Sequence, residues 1–195
     1  MGHSQLEKQK THERIVSLAA KRLREEGLDG IGVADLMKEA GLTVGGFYKH
    51  FASRDDLVAE AIQNAVGSWR RGVEAKGIDP ASISLQAYAD EYLSRRHRDH
   101  VGDGCPFAAL NADLARSAPN VREVATDGVR RNFEAMQARL PQPDAPDARR
   151  NAIIISSLMT GAVGLARVVD DEALSDEILS AVRSFVAQFS DKGKE

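Results

Sequence analysis

Gly32–Asp56 reads GVADLMKEAGLTVGGFYKHFASRDD. Val33, Leu36, Met37 and Ala40 recur at helical spacing. Gly41 then stops the helix as a left-handed residue just past its end. Thr43 is placed to cap a second short helix, Val44 to His50. Ser53 caps a third, with Asp56 three residues on as a short capping box. Two short helices around a glycine-containing turn are the sequence form of a helix-turn-helix, whose second helix enters the DNA major groove.

Gly45-Gly46 stands out inside the second helix. Each glycine costs about 1 kcal/mol of helix propensity relative to alanine. A helix whose backbone must approach another surface closely has a use for them. Tyr48, Lys49 and His50 follow at once and bring a phenol, an ammonium and an imidazole, all able to donate to phosphate oxygens.

The segment from Thr11 to Leu57 resembles the DNA-binding domain of the TetR/AcrR family of bacterial transcriptional repressors. The resemblance rests on Thr11, Ile15, Ala19, Ala20, Leu23 and Gly27, then Val33, Asp35, Leu36, Ala40, Gly41, Leu42 and Thr43. It continues through Gly45, Phe47, Tyr48, His50, Phe51, Ser53, Arg54, Asp55 and Leu57. The family usually has Thr where Gly32 stands, and often where Gly46 stands. Gly46 removes a hydroxyl that could touch DNA. The resemblance implies an all-α chain: a helix-turn-helix domain over residues 8–56, then an effector-sensing and dimerisation domain over 57–195, about nine helices in all. It implies a cytoplasmic homodimeric repressor on a palindromic double-stranded DNA operator, released by a small-molecule effector. In the expected docking, Thr43, Tyr48, Lys49 and His50 hold phosphates while Val44, Gly45 and Gly46 face base edges. Arg54 clamps the backbone, and Lys38 adds local positive charge.

Bulk charge does not advertise this role. The chain of 195 residues carries a net charge of −3. Its first sixty residues hold nine Lys/Arg against ten Asp/Glu, a net of −1. The phosphate grip must therefore come from a few placed groups and depend on salt. The single cysteine excludes an internal disulfide. Met1–Lys10 is polar, shows no secretory signal and is expected to fray. No apolar run is expected to reach the roughly 18 residues of a membrane span.

A first helix is expected from Thr11 to Glu26, with Leu28 and Ile31 tucked beneath the three-helix unit. The helix after Ser53 should run to about Lys76 and connect the domains. Another spans about Ser82 to Arg98, ending in the cationic Arg95-Arg96-His97-Arg98. Cys105-Pro106 opens the next, since proline suits the first helical position. Helices follow to about Leu140, from Ala148 to Val169, and from Asp176 to Phe189, after the rigid polar linker 141–147. The last pair is expected to form a four-helix bundle with a second copy through residues about 148–190.

Enzyme signatures are absent: there is no phosphate loop, HExxH or GxSxG. The chain is therefore read as a non-enzyme with no cofactor or metal, although His97 and His100 lie near Asp99 and Asp103. Cys105 stands at a helix N-terminus, where dipole and free N–H groups favour thiolate. Gly104–Leu110 also resembles a C-terminal domain of a TetR subgroup with a Gly-Cys motif. Some of its members answer to electrophiles or oxidants. A small buried hydrophobe is the plainer role for such a cysteine. Tyr88, Tyr92, Phe107 and Phe133 are the aromatics expected around an effector cavity. The alternative reading is a small helical ligand-binding protein or enzyme with an incidental helix-turn-helix.

Overall fold

A computed structural model describes residues 2–30 and 32–191, with side chains for 5–30 and 32–189. Ile31, expected beneath the three-helix unit, lies outside the described residues. The described residues form nine α-helices and three short 3₁₀ turns. The helices are α1 (Gly2–Glu26), α2 (Val33–Glu39), α3 (Arg54–Glu74), α4 (Leu85–Tyr92), α5 (Arg95–Asp99), α6 (Pro106–Ala115), α7 (Pro119–Ala138), α8 (Ala148–Val168) and α9 (Glu172–Asp191). The 3₁₀ turns are Val44–Lys49, Pro80–Ser82 and Val101–Asp103.

The punctuation of the opening stretch acts largely as its residues predict. Gly41 has φ of 69°. The Leu42 N–H donates to the Met37 carbonyl at 2.8 Å and the Gly41 N–H to Lys38 at 2.9 Å, a Schellman closure of α2. Ser53 Oγ accepts from the Asp56 N–H at 3.1 Å and starts α3. Thr43 departs from expectation: it occupies the cap position, but its side chain makes no capping bond. The segment it opens is a 3₁₀ helix, with Gly46 N–H on Thr43 O and His50 N–H on Phe47 O. Propensity does not hold this turn, since its glycines cost about 1 kcal/mol each. Phe47 does: it is buried against Phe51, ring centroids 5.3 Å apart, and burying a Phe contributes about 1.5–3 kcal/mol.

One core joins Ile15, Ala19 and Leu23 of α1 to Leu36 and Met37 of α2, Phe47, and Leu57, Ala61 and Ile62 of α3. It continues into Leu110 and Leu114 of α6 and Val121 of α7, so the N-terminal unit is bolted to the rest through α6 and α7. A second core joins Leu85, Ala89 and Leu93 of α4 to Met136, to Ile155, Met159 and Val163 of α8, and to Leu179 and Val186 of α9.

Three boundaries and one length expectation differ from the sequence reading. Residues 2–10 extend α1 instead of fraying. The helix expected over 82–98 is broken, because Ser94 Oγ accepts from the His97 N–H at 3.2 Å and starts a new helix after Leu93. The last helix begins at Glu172, where Asp171 Oδ1 accepts from the Ala173 N–H at 2.9 Å. By length and composition α8 alone, among the described residues, could cross a membrane, contrary to the reading of the sequence. Within this fold one side of it is spent on packing: it lies between α7 and α9, with Ala152, Ile155, Met159 and Val163 buried.

Candidate nucleic-acid interface and effector cavity

The Val44–Lys49 turn presents a mixed polar and apolar surface outward while Phe47 anchors it. Val44 is 50% and Tyr48 75% exposed. Thr43, Gly45, Lys49 and Lys38 are also exposed, and Gly46 is half-buried. A Cβ built on Gly45 would meet nothing within 4 Å, and one on Gly46 only Met37 Cε at 3.6 Å and Thr43 Oγ1 at 3.8 Å. Among the described residues, therefore, no internal packing requires a glycine at position 45. The uncapped Thr43 hydroxyl is free of the duty assigned to it from sequence.

Two predicted contacts are already engaged within the chain. Arg54 donates to the Leu28 carbonyl, tying the start of α3 to the connection after α1. His50 lies 5.8 Å from the His12 ring, and its Nδ1 is buried without a partner among the described residues. Burial, reinforced by His12, Lys8 and Lys49, pushes the His50 pKa down and favours the neutral ring. His12 in turn stacks on Phe51 at 4.7 Å and bonds Glu60 at 2.6 Å. His50 thus braces α1 against the turn, and the cationic reach falls mainly to Lys49 and Lys38.

A second site lies in the C-terminal part. A cavity of about 170 Å³ opens among α3, α4, α5, α6 and α7, lined by Trp69, Tyr88, Tyr92, His97, Cys105 and Phe107. Asn132 and Glu91 are among its polar lining residues. Phe133 is placed elsewhere: its ring lies under Arg149 at 5.4 Å, and Asn132 of the same helix takes the position expected for it. Trp69 meets Tyr88 edge-on at 4.9 Å and donates from Nε1 to Glu91 at 3.4 Å. Arg139 covers both rings, 5.3 Å from Trp69 and 4.9 Å from Tyr88. Enclosure by these neighbours pushes the Tyr88 and Tyr92 hydroxyls up in pKa, so both stay neutral.

Cys105 is half-buried at the N-cap of α6 and makes no side-chain capping bond. Its backbone N–H donates to His97 Nε2 at 2.8 Å, while His97 Nδ1 bonds the Tyr92 carbonyl at 2.7 Å. The first bond needs Nε2 as acceptor, so Nδ1 carries the proton, and burial pushes the His97 pKa down in support of that neutral form. His97 is thereby committed to positioning the cysteine turn. The break at Ser94 sets this up by letting the ring fold back over Tyr92. Gly104 is required by the same close approach, since a Cβ there would lie 2.6 Å from His97 Cδ2. The turn is also tied to the N-terminal unit: Arg24 of α1, 7% exposed, donates from Nε to the Gly102 carbonyl at 2.7 Å.

The sequence profile of bacterial regulatory proteins of the TetR family matches residues 15–61. That of the LmrA/YxaF-like transcriptional regulator C-terminal domain matches 80–180. The HTH-type transcriptional regulator Rv0196 of Mycobacterium tuberculosis is 28% identical over 185 residues, covering 89% of this chain and 93% of its own. LmrA of Bacillus subtilis is 22% identical over 162 residues, covering 80% and 86%. In fold, the chain is similar to reduced E. coli NemR, with a TM-score of 0.75 at 18% identity, covering 92% of this chain and 96% of NemR. A transcriptional regulator from Saccharomonospora viridis solved with choline gives 0.69 at 18% identity, covering 92% and 96%. An exposed, Phe-anchored helix-turn-helix, joined through α3 to a helical domain of LmrA/YxaF type, makes this chain a DNA-binding transcriptional regulator of the TetR family.

Proposed function

We propose that this regulator is a cytoplasmic repressor that binds an inverted-repeat operator as a homodimer and releases it when an effector occupies or modifies the cavity beside Cys105. The observation that carries the DNA-binding part is the outward face of Val44–Lys49, where Thr43, Val44, Gly45, Tyr48 and Lys49 are exposed around the buried Phe47. In this reading residues 8–56 form the DNA-binding unit and 57–195 the sensing and dimerisation unit. Thr43, Tyr48 and Lys49 grip phosphates, Val44 meets a thymine methyl, and the open faces of Gly45 and Gly46 let the backbone approach the groove. Arg54 and His50 support the grip by bracing the unit. Lys38 adds long-range attraction. Protection of an inverted repeat in a footprint near the protein's own coding region tests the whole reading. Uniform, sequence-independent protection would refute it.

Gly45 offers a sharper check. Gly45→Ala fills open space, so folding stability should stay the same or rise by up to about 1 kcal/mol. Operator affinity should nevertheless fall, because the added methyl stands where the groove must come close. Urea unfolding and fluorescence anisotropy on one preparation separate the two; unchanged anisotropy would remove Gly45 from the interface.

For the effector, the reading rests on Cys105 facing an aromatic cavity and sharing a turn with the Arg24 tie. An electrophile adding to Sγ would crowd Tyr92 and His97 and displace the 101–105 turn. Cys105→Ser should bind operator like the wild type yet stay bound after treatment with a quinone or hypochlorite. Release of the variant at wild-type doses assigns sensing to occupancy of the cavity alone.

A further inference from the structure

The aromatic cavity borders a second space at its α3 end. It shares Ser68, Trp69, Glu91, Arg96 and Asp103 with a larger cleft of about 760 Å³ between α1 and α3. Six cationic residues line that cleft, Arg14, Lys21, Arg24, Arg71, Lys76 and Arg96, against two acids, Glu91 and Asp103. In a chain of net charge −3 this is a local reversal of sign.

The way these cations are held matters more than their number. Several arginines outside the cleft face carboxylates: Arg22 meets Glu26 at 3.0 Å, Arg70 meets Glu74 at 2.9 Å, and Arg98 meets Asp99 at 2.6 Å. In the cleft three arginines are anchored on backbone carbonyls, which orient a guanidinium without neutralising it. Arg14 donates to Ala40 at 2.8 Å, Arg71 to Asn64 at 2.6 Å, and Arg24 to Gly102 at 2.7 Å. Lys21 has only a loose neighbour in Glu25, at 3.9 Å. Arg24 is more than nine-tenths buried at the cleft, and its Nη1 has no acceptor among the described residues. Oriented, unneutralised guanidinium groups are the arrangement that recognises carboxylate or phosphate.

From the shared wall of these two spaces we infer that the effector is an amphiphilic organic anion. Its apolar body fills the aromatic cavity, and its carboxylate or phosphate head sits in the cationic cleft beside Lys21, Arg24 and Arg71. This rests on the cavity being the effector site. A cavity of about 150 Å³ accommodates benzene, so the 170 Å³ here suits one ring or a short acyl chain. The end of the cleft at Lys21, Arg24 and Arg71, away from Arg14, serves a ligand rather than operator phosphates because of where it lies. Arg24 is about 18 Å along α1 from His12, the residue that stacks beneath the DNA-reading turn. The head also supplies the link to release. It competes with the Gly102 carbonyl for Arg24 and so loosens α1 from the cysteine turn.

Calorimetric titration of the full-length protein with 3-phenylpropionate, the neutral 3-phenylpropan-1-ol and the cationic 3-phenylpropyltrimethylammonium tests this. The carboxylate should bind at least about tenfold tighter than the alcohol, a preference that falls as salt is raised. The exposed pair Lys21→Gln with Arg71→Gln should erase that preference and leave alcohol affinity and melting temperature unchanged. Repeating the acid–alcohol comparison with phenethyl phosphate and phenethyl alcohol shows which anionic head the cleft prefers, and a preference for either anion upholds the inference. Alcohol binding without a preference for either anion overturns the anionic head while leaving the cavity as the effector site. No binding of any probe overturns both. Tighter binding of the ammonium overturns the inference, as does weaker operator binding by the double variant without probe, which would hand the cleft to DNA.

Discussion

Leu165→Glu should turn the protein into monomers and remove its affinity for a two-half-site operator. Ile154, Leu158, Gly161, Leu165 and Val168 follow one another at spacings of four and three residues along α8, and all are exposed. Leu165 is 59% and Val168 80% exposed, values at odds with their chemistry unless a partner covers them. On α9, Leu174 and Phe185 continue the apolar surface. A Cβ at Gly161 would meet nothing within 4 Å, so a second helix could approach the middle of the stripe closely. Covering one leucine contributes about 1.5–3 kcal/mol, and a two-fold interface uses it twice. Losing about 3–6 kcal/mol raises the dimer dissociation constant by roughly 10²–10⁴, before the cost of a buried carboxylate is added. Removing residues 148–195 altogether is a poorer test, because it takes Ile155, Met159 and Val163 out of the second core. Light scattering across a dilution series reads the outcome. A Leu165→Glu protein that stays dimeric at wild-type concentrations would move the interface away from α8.

Most of the fold was legible because its punctuation is local. Gly41 demands a left-handed backbone, Ser53 offers an oxygen three residues before a free N–H, and Pro106 and Pro119 stand where helices begin. What could not be read was set by contacts distant in sequence. Ser94 looked like one more residue of a helix, since a serine inside a helix and a serine at a cap differ only in the backbone around them. Thr43 looked like a cap, but the 3₁₀ geometry of the turn leaves its hydroxyl unused. Arg54 was legible as a cation and not as a side chain already spent on the Leu28 carbonyl. Phe133 misses the cavity for the same reason: helical spacing says which residues turn away from solvent, not which of two buried surfaces they reach. The cationic cleft was invisible to charge counting because it brings three cations of α1 together with Arg71, Lys76 and Arg96 inside an acidic chain.

Tyr48→Ala and Lys49→Ala should each weaken operator binding by a factor of roughly 10²–10⁴ without loosening the protein. Tyr48 touches the interior only through an edge-on contact with the Phe47 ring at 5.3 Å, and its hydroxyl end is free to reach a phosphate. Lys49 is exposed on the same turn, and His50 beside it is held against His12 in its neutral form, so His50 does not substitute for the ammonium. A hydrogen bond to a charged group contributes about 1.5–3 kcal/mol, and a dimer on two half-sites loses it twice. The two variants should differ in their response to salt. Lys49→Ala removes two phosphate neutralisations per dimer, so the slope of log affinity against log salt should become shallower by about 2. Tyr48→Ala releases no counterion and should leave the slope unchanged. Anisotropy titrations at several salt concentrations separate a charge contact from a neutral one. Wild-type affinity in both variants would mean that Val44–Lys49 does not face the DNA.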